Sequence, residues 1–388
     1  MSDIVDETLK GLAEEKEMKL KQKELRDRKI NADYERMKEN DHNLEVVKAT
    51  SFGALTSEQV ENLKKESSGY IESAKGCMRF ICESFDKIVP MFPRNLIVIG
   101  ALTGRGKTTC VANIALTNIL QKDKITGKPK RTLVITNETP AEDVYNTVTC
   151  LLNGWQYANH DQFTEQQKIA FEKGIEFLSA GGKLTVLDSG QIEGLTTTVE
   201  GLETIFSNMM RDKNFYDCVI IDYYQEFSES TKRPDAGEYE VQAMVTRVLE
   251  KYRKVYPAPI FVLAQLKPYE GEGEDTRPFK VKMEGRKLLC NKATMIMEMV
   301  ANFDNRETLF VIHKSRYGQS LGQGINTGFE NGRFIKLTDE FKKKIQNQKQ
   351  QRADAETTKG LQQPETKKED EDGTGSQDGT GNEAGNND

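Results

Sequence analysis

The sequence lacks the features of a membrane or secreted protein. Its 388 residues contain no apolar stretch approaching the roughly 20 residues that a membrane-spanning helix requires. Residues 1–7 carry neither the basic segment nor the apolar run of a signal peptide. Hydrophobic residues make up 36% of the chain, which indicates that part of its length does not pack into a core. We therefore expect a soluble, cytoplasmic protein with a folded middle and less hydrophobic ends.

Cysteine motifs are also missing. Six cysteines are scattered along the chain, no two of them form a CxxC pair, and none has a histidine at metal-ligand spacing. This pattern excludes the common zinc and dithiol redox motifs. We expect the cysteines to be reduced, buried and packed as small hydrophobic residues.

Charge is unevenly distributed along the chain. The formal net charge is −6, and residues 353–388 hold ten acidic and three basic residues, so this stretch carries −7 and the rest is close to neutral. A near-neutral body does not indicate nucleic-acid binding through bulk charge, although a local basic channel is compatible with it.

Composition divides the chain into four segments. Residues 1–48 are charged and favour a helical arm or linker, which is either a solvated helix or an arm that packs on a neighbouring subunit. Residues 49–94 indicate short helices that lead into the main domain, which spans 95–340. Residues 341–388 are expected to be a disordered acidic tail, because they cannot bury enough apolar area to fold.

The segment 95–340 alternates apolar runs of strand length with helical stretches. Strands that are apolar on both faces and separated by helices form parallel sheets covered on both sides. The pattern therefore predicts an α/β fold with a mostly parallel, twisted sheet flanked by helices. The apolar runs lie at 96–99, 132–136, 183–187, 218–221, 260–263 and 309–312.

A glycine-rich loop connects the first of these strands to an apolar helix over 111–120. Glycines allow the backbone N–H groups to surround phosphate oxygens, and the helix dipole adds positive charge at the same point. We expect Lys107 to reach the β- and γ-phosphates of ATP and Thr108 to supply its hydroxyl to Mg²⁺. The other candidate phosphate-binding residues are Ala101, Thr103, Gly104, Arg105, Gly106 and Thr109.

Polar residues that could support hydrolysis follow three of the other strands. Asp222 ends the run at 218–221, where a metal-binding aspartate is expected at the carboxyl end of a parallel strand. Glu138 follows the run at 132–136 and is expected to orient or deprotonate the attacking water, although this stretch also resembles a helix start. Gln265 ends a third strand, where its amide could sense the γ-phosphate or bridge it to another site.

These motifs, in this order, resemble the RecA-like ATPase domain of DnaB-type (superfamily 4) replicative helicases over roughly residues 70–340. The resemblance implies a RecA-like P-loop NTPase fold and an ATP-driven helicase that moves along single-stranded DNA as a hexameric ring. ATP would bind between subunits. In sequence letters, ALTGRGKT (101–108) resembles the family's A-x-P-x-x-G-K-T, ITNE (135–138) its S-L-E, IDYYQ (221–225) its I-D-Y-L-Q, AQL (264–266) its S-Q-L, and HKSRYG (313–318) its K-x-R-x-G.

The resemblance also implies roles for basic residues outside the loop. Lys314 and Arg316 would reach into the ATP site of the neighbouring subunit, where they would stabilise charge on the γ-phosphate. The family's DNA-facing loop, D-x-R-x-S-G, is replaced by KMEGRK at 282–287, where Arg286 and Lys287 could grip DNA phosphates. The family's helical N-terminal domain and a primase domain have no counterpart, which would suit a phage-encoded protein acting in the host cytoplasm.

Other functions use the same loop and carboxylates. A RecA- or KaiC-like regulatory or recombination ATPase that does not unwind DNA is favoured by the altered loop at 282–287. A non-enzymatic scaffold is disfavoured because the site residues occur together, and a small P-loop kinase is disfavoured by the acidic stretch at 270–275. The acidic tail either binds a primase, a loader or a single-strand-binding protein, or acts as a solubility segment that repels DNA.

Overall fold

The computed structural model of the protein describes residues 57, 58, 60–65, 80–86, 93–123, 127–191, 194–270, 277–283, 287–316 and 322–360. The predicted arm at 1–48 and residues 361–388 of the predicted tail lie outside the described residues. The chain divides into two units, Met1–Ile71 and Glu72–Asp388. The described residues of the first unit are helical and exposed.

The second unit is built around one large sheet. Its described strands are β1 (Leu96–Ala101), β2 (Thr132–Thr136), β3 (Leu184–Leu187), β4 (Cys218–Asp222), β5 (Ile260–Gln265), β6 (Met295–Asn302), β7 (Glu307–Ser315), β8 (Gly324–Glu330) and β9 (Arg333–Lys336). They lie in the order β3-β2-β4-β5-β1-β6-β7-β8-β9. Strands β3 to β6 in this order are parallel, and β7, β8 and β9 extend the sheet in antiparallel fashion. The mostly parallel sheet predicted from the sequence is confirmed.

Helices cover both faces of the parallel part, which is why its strands are apolar on both sides. The described helices are α1 (Glu83–Asp86), α2 (Lys107–Ile119), α3 (Ala141–Asn153), α4 (Glu165–Ser179), α5 (Val199–Arg211), α6 (Glu238–Arg253), α7 (Phe279–Lys282), α8 (Lys287–Lys292) and α9 (Asp339–Gly360). One buried cluster joins the sheet to α2 and α3, and a second joins it to α5 and α6. Among the helices that the structure describes, none combines the length and apolar character needed to cross a membrane.

The pleat of β4 shows how the two faces are divided. Cys218 and Ile220 belong to the cluster with α2, whereas Val219 and Ile221 belong to the cluster with α6. Because side chains alternate along a strand, Asp222 falls on the α2 face. The same alternation applies to every parallel strand and decides which terminal residue can face the glycine-rich loop.

The carboxyl terminus of the domain differs from the sequence prediction. The disordered tail was expected from residue 341, but α9 runs from Asp339 to Gly360. Phe341 and Ile345, one helical turn apart, are both buried, and the Phe341 ring packs closely over Gly328 of β8, about where a side chain at that position would begin. Two apolar residues at i and i+4 dock this end of an otherwise charged helix against the sheet. The prediction was therefore wrong for residues 341–360.

The strand register brings the strand ends next to Glu138, Asp222 and Gln265 to one edge of the sheet. Thr136 is paired with Asp222, and Ala101 is paired with Gln265. The carboxyl ends of β1, β2, β4 and β5 therefore meet at the same edge, which we call the carboxyl edge. Strand β7 runs antiparallel to β6, so its end at Ser315 lies at the opposite, amino edge.

Candidate nucleotide site

The glycine-rich loop between β1 and α2 is shaped to bind an anion. Gly104 and Gly106 have φ values of 70° and 88°, a left-handed conformation that side chains other than glycine rarely adopt. Gly106 caps α2 without any side-chain hydrogen bond, and the loop residues before it are exposed. The first-turn N–H groups of a 13-residue helix are thus directed at open space beside the loop, which is the arrangement that binds phosphate.

Lys107 starts α2 and points back over the carboxyl edge. Its side chain is largely buried, at 8% exposure. The Nζ atom lies 5.3 Å from the centroid of the Tyr223 ring, which directly follows Asp222. The contact holds the ammonium beside the end of β4 through a cation–π interaction.

Asp222 is a buried carboxylate with an unusual environment. The side chain is 1% exposed, and neither oxygen has a hydrogen-bond partner of standard geometry among the described residues. Burial raises its pKa to about 7; the charge of Glu138 adds to the rise, and Lys107 and the Thr108 hydroxyl counteract it. Glu138, Lys107 and Thr108 are therefore close enough to Asp222 to act on its charge. An unpaired buried carboxylate beside a threonine hydroxyl offers the hard oxygen ligands that Mg²⁺ prefers, so the residues fit this ion.

Glu138 lies on a turn that joins β2 to α3. The Asn137 N–H donates to the Asp222 carbonyl at 3.0 Å, which ties this turn to the end of β4. The Thr136 hydroxyl accepts from the Thr139 N–H at 3.1 Å and closes the turn. Glu138 itself is exposed, so its carboxylate is available to a water or a ligand. The helix start that the sequence also suggested is present, because α3 begins at Ala141.

Gln265 ends β5, between the strand of the loop and the strand of Asp222. Phe261 and Leu263 of this strand belong to the buried cluster with α2. Alternation therefore places the Gln265 side chain on the α2 face, as it does for Asp222. The carboxyl edge thus brings together five of the residues for which the sequence suggested ATP-site roles, namely Lys107, Thr108, Glu138, Asp222 and Gln265.

A cavity of about 370 Å³ lies on the other side of the loop. Its walls include Arg105 from the loop and Phe303 and Arg306 from the turn between β6 and β7. The Arg105 guanidinium carbon is 5.2 Å from the centroid of the Phe303 ring, whose residue is 59% exposed. Sequence reasoning missed this turn, because nothing in the residues 303–306 indicates that they lie beside a loop some 200 residues earlier.

Lys314 and Arg316 lie at the amino edge, away from the loop of their own chain. The Arg316 N–H donates to the Thr294 carbonyl at 2.9 Å, and the Thr294 N–H donates to the carbonyl of Leu96, the first residue of β1. The Lys314 ammonium donates to the Cys290 and Asn291 carbonyls at 2.7 and 2.9 Å, and the Arg316 guanidinium donates to Asn291 at 2.9 Å. These cations meet the carboxyl-terminal carbonyls of α8, as the helix dipole favours.

Of the two candidate DNA-binding residues, Arg286 lies outside the described residues. Lys287 begins α8 and is exposed. In the same region, the Lys282 ammonium pairs with Glu298 at 2.9 Å, and the His313 Nε2 atom lies 2.7 Å from the other Glu298 oxygen. Burial raises the pKa of Glu298, but the hydrogen bonds from His313 and Lys282 outweigh it, and the pKa is lowered overall.

Comparisons with known proteins agree with this arrangement. The model of the DnaB-like helicase C-terminal domain family matches residues 82–332. The replicative DNA helicase DnaB of Mycoplasma genitalium is 22% identical over 258 residues, which cover 63% of this chain and 52% of the relative. The chain thus spans about half the length of this curated relative.

Two solved structures have a similar fold. One is described as an ATPase domain and matches with a TM-score of 0.57 and 16% identity, over 72% of this chain and 99% of its own. The other, a DnaB-like replicative helicase described with its interactions with primase, matches with a TM-score of 0.58 and 16% identity, over 80% of this chain and 76% of its own. At this identity the two structures are similar to the chain in fold.

Proposed function

The chain belongs to the DnaB-like helicase C-terminal domain family, and on this premise we propose that it is an ATP-driven helicase or translocase acting on single-stranded DNA during replication. It would work as a ring, which we expect to be a hexamer, with ATP bound between subunits. The observation that carries this proposal is the division of charge between the two edges of the sheet. The loop and carboxylates lie at the carboxyl edge, and the Lys314–Arg316 pair lies at the amino edge.

ATP would bind with its phosphates in the glycine-rich loop. The free N–H groups of Gly104, Gly106 and the first turn of α2 would surround the β-phosphate, and Lys107 would leave the Tyr223 ring to reach the β- and γ-phosphates. Thr108 and Asp222 would hold Mg²⁺ between them. When bound, this ion supplies positive charge that offsets the negative charge developing on the phosphate oxygens.

Hydrolysis would begin with a water beside the γ-phosphate. Glu138 is exposed at the edge of the site and would accept a proton as the water oxygen attacks the phosphorus. The bond between the γ-phosphorus and the bridging oxygen then breaks, and ADP and inorganic phosphate form. Gln265 faces the same side and would donate a hydrogen bond to the transferring group. The chain's own contribution is therefore placement of charge and of the water.

The adenine ring and ribose would enter the cavity beside the loop. Phe303 offers an aromatic face, and Arg105 and Arg306 offer planar cations, which are the groups that stack on a purine. The cavity shares Gly104 and Gly106 with the phosphate-binding loop, so one nucleotide can occupy both. The 59% exposure of Phe303 leaves room for a ring to stack on it.

A neighbouring subunit would complete each site. Lys314 and Arg316 are at the far edge from their own loop, so they would act on a nucleotide held by the next copy. A contact between unlike edges is heterologous, and when its rotation closes it generates a ring. The α8 carbonyls that now hold these cations would be exchanged for the γ-phosphate of the neighbour.

Contact with DNA would involve the region around the start of α8. Lys287 is exposed at the start of α8 and could contact a phosphate. Lys282 is another basic residue of the stretch 282–287, but it is 7% exposed and forms an ion pair with Glu298, so it is not available to a DNA phosphate. This pairing favours a second candidate function, a RecA- or KaiC-like ATPase that does not unwind DNA. Binding of a primase, loader or single-strand-binding protein by the tail also stays a prediction.

Mixed rings test the shared site directly. Lys107→Ala removes the loop ammonium that would bind the phosphates but keeps Lys314 and Arg316. Arg316→Ala keeps the loop intact but removes the guanidinium that would reach the neighbour. Each variant alone should therefore lose nearly all ATP hydrolysis. In an equal mixture that exchanges subunits, about a quarter of the interfaces pair an intact loop with an intact arginine. We expect hydrolysis to recover towards that fraction of the wild-type rate. Arg211→Ala, at an exposed arginine paired with Asp212, is the control for loss of a surface cation.

Each part of the proposal has its own refuting result. Mixtures that stay as inactive as the separate variants would show that the two edges do not meet at one nucleotide. A wild-type protein without ATP hydrolysis would refute the enzyme itself. Unwinding of a forked duplex is measured in parallel, and hydrolysis without strand separation would favour the RecA- or KaiC-like function.

A further inference from the structure

Strand β5 extends beyond its pairing with β4. The two strands are paired from Val219–Ile260 to Ile221–Val262, but β5 continues to Gln265. On its other side β5 stays paired with β1 up to its last residue. The end of β5 therefore has a strand on one side only, and the backbone groups of Gln265 on the β4 side need another partner.

The side chain of Gln225 supplies that partner. Its Nε2 atom donates to the Gln265 carbonyl at 2.8 Å, and its Oε1 atom accepts from the Gln265 N–H at 3.1 Å. A carboxamide carries one donor and one acceptor in the same geometry as a peptide group. The Gln225 amide thus satisfies both backbone groups of Gln265, which lies three residues beyond the last pair between β4 and β5.

Gln225 is itself held in place by residues of α6 and by its neighbour Tyr224. The Gln242 Nε2 atom of α6 donates to the Gln225 carbonyl at 3.3 Å. The Tyr224 hydroxyl donates to the Gln242 carbonyl, and both Tyr224 and Gln242 are 1% exposed. Gln225 is therefore held by buried residues on the α6 face of the sheet. The side chain of Gln265, whose backbone Gln225 binds, lies on the α2 face with Asp222.

We propose that Gln225 is a positioning residue for ATP hydrolysis, which clamps the backbone of Gln265 so that the Gln265 amide reaches the transferring phosphate. This inference rests on the proposed function of the site. Both polar atoms of the Gln225 side chain are engaged with Gln265, so Gln225 acts through Gln265. A shift of about 1 Å in a positioned group can cost about a hundredfold in rate.

The first test measures the clamp without using activity. In Gln225→Met, a side chain of similar length lacks both polar groups. Hydrogen exchange of the Gln265 N–H should become at least about tenfold faster. The adjacent Leu266 N–H donates to the Ala101 carbonyl at 2.9 Å and should keep its protection. Unchanged exchange at Gln265 would overturn the proposal.

The second test separates positioning from stability. Gln225→Met should lower kcat about tenfold or more and change the KM for ATP by less than about twofold, because phosphate binding by the loop is intact. In a Gln265→Ala background, Gln225→Met should have no further effect on kcat. A full, multiplicative effect in that background would overturn the proposal, since a clamp acts only through the residue it holds.

Asn118→Ala is the matched control. Asn118 is fully buried and its amide donates to the Arg131 carbonyl at 3.1 Å and the Thr132 hydroxyl at 2.8 Å, at the amino edge of β2. Its loss should lower the melting temperature while kcat of the folded protein is retained. If the wild type hydrolyses ATP and Gln225→Met matches it, the positioning role alone fails. If the wild type does not hydrolyse ATP, both the proposed function and the positioning role fail, whatever hydrogen exchange at Gln265 shows.

Discussion

Replacing Asp222 with asparagine should make the nucleotide-free protein more stable while it destroys the metal site. The wild-type carboxylate is buried, unpaired within the described part of the chain, and close to Glu138. A buried charge costs free energy in the folded state when its neighbours offset only part of its desolvation, and Lys107 and Thr108 do not cancel the effect of burial and of Glu138. Asparagine has nearly the same shape and no charge, so the variant is relieved of that cost.

The magnitude follows from the pKa of Asp222, which burial and Glu138 raise from 3.8 to about 7. Ionising such a group in the folded state costs about 4 kcal/mol more than in the unfolded chain, at roughly 1.36 kcal/mol for each tenfold change. Water entry around a buried charge reduces this cost, so we expect about 2 kcal/mol. Because the folded pKa is above the unfolded one, the folded state binds more protons between about pH 4 and pH 7, and wild-type stability falls as pH rises through this window.

Denaturant unfolding at pH 8 and at pH 4 measures this difference. At pH 8, without nucleotide or magnesium, the free energy of unfolding of Asp222→Asn should exceed that of the wild type by about 2 kcal/mol. The difference should shrink towards pH 4, where the folded-state carboxyl of the wild type is protonated and the unfolded-state carboxyl is partly protonated. Adding magnesium and a non-hydrolysable ATP analogue should reverse the order, because ligand binding then stabilises mainly the wild type.

Asp188 provides the control, since its carboxylate is paired. It accepts from the N–H groups of Ala141, Gly190 and Gln191 at 2.7, 3.0 and 2.9 Å. Asp188→Asn should therefore leave stability unchanged or lower it at pH 8. An Asp222→Asn variant that is less stable than the wild type at pH 8 would refute the view of Asp222 as an unpaired charge awaiting a cation.

Two further predictions concern the loop and the carboxyl-terminal helix. Gly106→Ala forces an alanine to φ 88°, so the free energy of unfolding should fall by about 1–2 kcal/mol. ATP affinity, measured by titration calorimetry, should weaken as well. Retained affinity would show that the loop does not use this conformation to bind ATP. Phe341→Ala removes a buried ring that docks α9 and should cost about 3 kcal/mol in denaturant unfolding, whereas Lys343→Ala at an exposed position should cost little; equal effects would mean that α9 is not packed as described.

The core of the fold could be read from the sequence because it depends on local patterns. Apolar strand-length runs separated by helices are typical of parallel sheets. Five of the six predicted runs lie in parallel strands, and the sixth, 309–312, lies in antiparallel β7. The rule that parallel strands end at one edge brought Glu138 and Asp222 together, although they are 84 residues apart in the sequence. The same rule places Gln265 at this edge, although nothing in the residues around Gln265 distinguishes it from other polar residues that end a strand.

Other parts of the site depend on contacts that no local pattern encodes. The turn with Phe303 and Arg306 reaches the loop because β6 lies next to β1, and strand order is a property of the whole sheet. The role of Gln225 likewise depends on where the pairing of β4 and β5 ends. For α9, a usable signal was present: Phe341 and Ile345 lie one turn apart, but the abundance of lysine and glutamine around them outweighed it.

The opposite placement of the two charge groups also bears on how ATP hydrolysis would be controlled. A single subunit has a loop, a buried carboxylate and a lysine at its carboxyl edge, and on the proposed function these residues would bind ATP without a neighbour. The Lys314–Arg316 pair that would stabilise the transition state is held by the α8 carbonyls at the other edge. Hydrolysis would then require a neighbour in register, because charge stabilisation falls steeply with distance. An isolated subunit would bind ATP and hydrolyse it slowly, so assembly of the ring would itself raise the rate of hydrolysis.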